Sequence, residues 1–129
     1  MNKQQKKEGE NDLLQDVIIA LHKYRVLKVK FQNKQEREAL GVEILFPELK
    51  ATRQEDPEER KKYIQYIQIK RALEEALDED ERKILEMKYM NTKILNDDYI
   101  YTVIGIKRRT FYRKKKSAIA NFADALGIM

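Results

Sequence analysis

The stretch "DDYIYTVIGIKRRTFYRKKKSAIANFADALG", residues 97 to 127, decides how this chain is read. Asn96 or Asp97 can cap a short helix whose apolar positions are Ile100, Val103 and Ile104. Gly105 then supplies the positive φ that ends it. After a turn of about three residues, in which Ile106 would plug the angle, a longer helix runs from about 107 to 126. It carries Phe111, Ala118, Ile119, Phe122 and Leu126 on one face and stops at Gly127. Two helices joined by a short glycine turn, the second longer and basic, is the pattern of helix-turn-helix DNA binding.

The charge on the second helix follows the same geometry. Seven of the eleven residues from Ile106 to Lys116 are Lys or Arg, and none is acidic. With the aromatic and aliphatic positions turned inward, Arg108, Arg109, Tyr112, Arg113 and Lys116 share the outward face. The first turns of such a helix enter the major groove, where arginine can make two hydrogen bonds to guanine and tyrosine can touch a thymine methyl. Arg108, Arg109, Tyr112 and Arg113 are therefore the candidates for base contact. Lys107, Lys114, Lys115 and Lys116 are the candidates for phosphate contact, which positions a protein without reading sequence.

Working toward the amino terminus, Asp78 and Glu81 form a D-x-x-E helix start followed by Ile84, Leu85 and Tyr89, with an end expected near Asn91. Asp56, Pro57 and Glu59 form another start, for a helix reaching about residue 77 with Ile64, Ile67 and Leu73 on its apolar side. Gly41, Pro47 and Pro57 mark a linker near 41–56 that includes a short extended piece at "VEILF", residues 42 to 46. Before it, Leu14, Val17, Ile18, Leu21, Tyr24 and Phe31 predict an amphipathic helix over roughly 13–32. Residues 1–11 have no apolar residue after Met1 and predict a disordered leader. The expected organisation is all-α: the leader, an N-terminal helical assembly region over 12–73, and a helix-turn-helix domain over 74–129.

The run "LDEDERKILEMKYMN", residues 77 to 91, together with "DDYIYTVIGIKRRTFYRKKKSAIANFADALGI", residues 97 to 128, resembles the C-terminal part of the ArpU-type phage late-gene transcriptional regulators. That part is itself similar to the fourth region of sigma-70-type factors, and "ALHKYRVLKVKF", residues 20 to 31, resembles the N-terminal part of the same family. The resemblance implies a transcriptional regulator of phage or prophage late genes, acting in the bacterial cytoplasm on double-stranded DNA. It places Arg108, Arg109, Tyr112 and Arg113 at base-contacting positions and Phe111, Ile119 and Phe122 in the core. Two positions depart from the usual pattern. Tyr101 stands where Ala or Gly lets the two helices approach, and Lys107 stands where Ser or Thr caps the reading helix.

Composition sets the outer bounds. The chain has 129 residues, 42% of them apolar and 38% charged, a formal charge of +5 and no cysteine. That supports a modest helical core with an affinity for polyanions and excludes disulfides and thiolate metal sites. The longest pure apolar run, Val17 to Leu21, is too short to cross a bilayer. A membrane-surface reading of the basic helix would spend Phe111, Ile119 and Phe122, which the domain needs as core. His22 is the only histidine and Ser117 the only serine, so no metal, cofactor or catalytic residue is expected. The stripe of Leu14, Val17, Leu21 and Tyr24 reads first as core against the helix that starts at Pro57, and the acids between Glu74 and Glu86 as helix caps and solvated faces; the alternatives are a homodimer through that stripe and RNA polymerase against those acids. The competing functions are a sigma-like polymerase subunit and a DNA-packaging protein of the small-terminase kind.

Overall fold

A computed structural model describes residues 3–42, 45–49 and 57–128, with side chains from residue 9 onward. Among these residues there are five helices and no strand: α1 Lys3–Leu40, α2 Glu59–Glu75, α3 Glu79–Tyr89, α4 Asp97–Ile104 and α5 Arg108–Ala125. The all-α expectation holds.

Helix α1 is longer than the 13–32 that its apolar residues predict, and residues 3–11, read as a leader, continue it. Periodicity marks only the packed part of a helix. The flanking Lys, Gln and Glu are good helix formers, and no proline occurs before Pro47. Gly41, at φ 71°, ends the helix: the Val42 N–H returns to the Arg37 carbonyl at 2.9 Å and the Gly41 N–H to Glu38 at 3.2 Å. The extended piece expected at 42–46 includes residues 43 and 44, which lie outside the described residues, as does the expected Asp56 cap. Helix α2 itself begins at Glu59, with Glu58 at its N-cap.

The expected N-terminal stripe is spent on the core. Val17, Leu21 and Tyr24 of α1 meet Ile69, Ala72 and Leu73 of α2, Leu85 of α3, and Ala118, Phe122 and Ala123 of α5 in one buried cluster. Burying side chains of this size is worth about 1.5–3 kcal/mol each, so α1 and α2 act as the second layer on which α3 and α5 rest. An aromatic ladder extends the α1–α2 contact, with Tyr24 stacked on Tyr66 at 5.7 Å and Phe31 edge-on to Tyr63 at 5.2 Å. Ile69 is the buried isoleucine of α2, whereas Ile64, expected on the apolar side, is exposed.

A second cluster holds the helix-turn-helix together. Ile84 of α3, Ile100 of α4 and Phe111 of α5 are fully buried against one another, with Leu95, Ile104 and Ile106 packed around them. Ile106 occupies the interhelical angle as expected. Val103, expected on the apolar side of α4, is instead exposed, and the buried contact of α4 runs through Ile100 with Ile104 packed beside it.

Candidate nucleic-acid interface

Each helix start is made by a different device. At α3, the Asp78 carboxylate accepts the Glu81 N–H at 2.8 Å while the Glu81 carboxylate accepts the Asp78 N–H at 3.0 Å, a complete capping box. Glu81 is buried, and its second oxygen accepts from the Asn121 side chain of α5 at 3.2 Å. At α4, Asn96 accepts the Tyr99 N–H at 2.8 Å. Lys107, at the N-cap of α5, provides no side-chain acceptor.

The turn between α4 and α5 consists of Gly105, Ile106 and Lys107, with Gly105 at φ 85°. The Tyr101 carbonyl accepts both the Gly105 N–H at 3.0 Å and the Ile106 N–H at 3.1 Å, which closes α4 and directs the chain into α5. Tyr101 does not block the approach of the helices. Its half-buried ring lies at the rim against Phe111, 5.8 Å between centroids, and Ile100 makes the buried contact.

Phe111, Ala118 and Phe122 bury one side of α5, and this divides its cations into two groups. Lys107, Arg108, Arg109, Arg113 and Lys116 are exposed, and among the described residues none has a carboxylate within ion-pair distance. The Arg108 guanidinium lies over the Tyr112 ring at 5.7 Å, and the Tyr112 hydroxyl donates to Asp97 at 3.3 Å, so this aromatic is held in place at the edge of the basic face. The other two lysines turn inward. Lys114 pairs with Asp78 at 3.1 Å and Asp80 at 3.4 Å, and Lys115 lies 3.9 Å from Asp97.

The titration of these groups reflects the pairing. The Asp78 carboxyl is held below its ordinary range, chiefly by the Glu81 N–H and then by Lys114, while Asp78 in turn raises Lys114. Burial on its own pushes Asp97 up, but Lys88 at 2.9 Å, Lys115 and the Tyr112 hydroxyl outweigh it and hold the carboxyl low. Asp97 thus joins α3, α4 and α5 through Lys88, its own backbone and Lys115. No local pattern announces this junction: Asp97 reads as a cap candidate, and its partners lie nine and eighteen positions away.

Ser117 is exposed on α5, where its hydroxyl accepts from Asn121 at 3.3 Å, and His22 is exposed on α1. Among the described residues no three His, Cys, Asp or Glu side chains gather closely enough to hold a metal ion. No described helix is long and apolar enough to cross a membrane. Compared with protein-family models, curated proteins and solved structures, the chain matches none.

Proposed function

We propose that this protein is a sequence-specific double-stranded-DNA-binding transcriptional regulator that enters the major groove with the leading half of α5. The observation that carries the reading is the division of α5 itself. One side is core, and the other presents Lys107, Arg108, Arg109, Arg113 and Lys116 without a carboxylate partner among the described residues, directly after a glycine turn. Exposed cations gathered on one helix face raise the local potential and favour a polyanion.

Arg108, Arg109, Tyr112 and Arg113 are the base-reading set, and Lys107 and Lys116 hold phosphates beside them. Lys114 and Lys115, also expected on phosphates, reach them only by leaving Asp78, Asp80 and Asp97, so their first role is to brace α5. The resemblance of residues 74–128 to ArpU-type regulators adds phage or prophage late genes as the regulated class.

The sigma-like alternative uses the acidic start of α3 against polymerase. Asp78 and Asp80 are engaged by Lys114, and Glu79 by Lys83 at 3.1 Å, which favours autonomous DNA binding over a polymerase-dependent subunit. Assembly through the α1 stripe loses its motive, because Val17, Leu21 and Tyr24 are already buried within one chain.

Selection of sites from a random duplex pool tests the reading. Arg109→Ala and Arg113→Ala should each cost about 1–3 kcal/mol and relax preference at particular base pairs. Lys116→Ala should weaken all sequences alike and reduce the salt slope by about 1. Absence of salt-dependent duplex binding by the intact chain sinks the proposal.

A further inference from the structure

Helix α1 carries a second apolar stripe that the fold does not use. Ile19, Val26 and Val29 are 62%, 64% and 53% exposed, on the side away from the buried Val17, Tyr24, Leu27 and Phe31. β-Branched side chains lose rotamer freedom in a helix, and in the monomer these three stay more than half exposed, Ile19 at the edge of a groove that Ile69, Leu126 and Ile128 also line. Their spacing of seven and then three is that of a helix–helix seam, in which Ile19 and Val26 occupy equivalent positions one heptad apart.

Between Ile19 and Val29 the flanks of the stripe are basic, and the nearest acids, Asp16 and Glu36, lie beyond its two ends. From Val17 to Gln35 there is no Asp or Glu, while Lys23, Arg25, Lys28, Lys30 and Lys34 all fall in this span. Lys30 and Lys34 reach Glu59 of α2, at 2.6 and 3.9 Å, on the side where α2 lies. Lys23 and Arg25 border the apolar stripe on its two edges, and His22 lies between Ile19 and Val26.

We infer that this face of α1 docks an acidic amphipathic helix of another protein, with aliphatic residues against Ile19, Val26 and Val29 and carboxylates beside Lys23 and Arg25. A second copy of this chain seated on the same stripe would bring its own basic flank of Lys23 and Arg25 against this one. An anionic bilayer would satisfy the charge, but the stripe lacks the Trp, Phe or Leu that bury well at a lipid interface. Nucleic acid would answer Lys23 and Arg25 and leave the aliphatic residues in water. The seam runs over the eleven residues from Ile19 to Val29, about 15 Å of helix, so it suits a reversible partner.

The test uses the full chain and three probes. These are a designed heptad peptide with aliphatic seam residues and glutamate flanks, the same peptide with lysine flanks, and vesicles of anionic phospholipid. The glutamate peptide should bind and the lysine peptide should not. Val26→Asp should weaken binding by about tenfold, the loss expected for a charge at the centre of a small interface. Val26 is exposed, and an unchanged helical circular-dichroism spectrum checks that the fold is kept. Lys23→Glu with Arg25→Glu should reverse the preference between the peptides, whereas Arg113→Ala on α5 should leave it unchanged. Four results overturn the inference: no binding of the glutamate peptide, equal binding of both peptides, dependence on Arg113, or a Val26-dependent interaction with vesicles or between copies of the chain in place of peptide binding.

Discussion

The amino-terminal ends of α3 and α5 solve one problem in opposite ways. Each helix begins with backbone N–H groups that have no partner within the helix and with the positive end of its dipole. Helix α3 answers with a reciprocal Asp78–Glu81 box and three acids in its first turn. Helix α5 begins at Lys107, makes no side-chain cap and adds Arg108 and Arg109 to the same end. Its start is held by burial of Phe111 between Ile84 and Ile100. A helix end that repels cations and yet collects them costs stability in the free protein. It becomes favourable when an external anion arrives, so the contrast separates an end finished by the protein from one that, under the proposed function, is left for a phosphate.

The largest way to break this contrast is to remove the anchor that replaces the cap. Phe111→Ala should cost about 3–5 kcal/mol, as for other buried aromatics, and loosen α5 from α3 and α4. Thermal unfolding should show the loss, and duplex binding should fall with it. Asp78→Ala attacks the other end. Loss of the N-cap acceptor should cost about 0.5–2 kcal/mol, and it releases Lys114 from one of its two carboxylate partners, leaving Asp80. Stability measured in urea should drop while duplex affinity holds or rises.

Making the two ends alike is a smaller and more pointed change. Lys107→Ser supplies the missing acceptor to α5 and removes one cation, so the protein should become more stable by about 0.5–1 kcal/mol while the salt slope of DNA binding falls by about 1. A variant that gains stability and keeps the wild-type slope would remove Lys107 from the phosphate set.

The smallest effect is the pH dependence of the brace between the two ends. The folded Asp78 carboxyl titrates below its ordinary value of about 3.9, and the folded Lys114 ammonium above its ordinary value of about 10.4. The Asp78 contribution is therefore complete above the ordinary carboxyl value and is lost as pH falls through the depressed one. The Lys114 contribution is complete below the ordinary lysine value and is lost as pH rises through the raised one. Both groups are close to the surface, so solvent screens the pair. Asp78→Asn keeps a capping acceptor and removes the charge, and its stability profile against pH should be flatter at both extremes.

The sequence by itself determined what is local. The Asp78 box, a cap at Asn96 or Asp97, the Gly105 stop and the inward spacing of Phe111, Ala118 and Phe122 each depend on residues within a turn or two of one another, and all are present in the fold, with Asn96 as the cap. The ends of α1 were not legible, because helix propensity in Lys, Gln and Glu carries no periodic signal. Tertiary structure alone decided which cations of α5 remain exposed. Lys114 and Lys116 are two positions apart in one basic run, but Lys114 meets Asp78, thirty-six positions earlier, and Lys116 meets no acid among the described residues. It also decided that one apolar stripe of α1 would join the core and the other stay in water. Spacing sets which side chains share a helix face, but only the packing of the other helices sets which face is covered and where each charge finds its counter-charge.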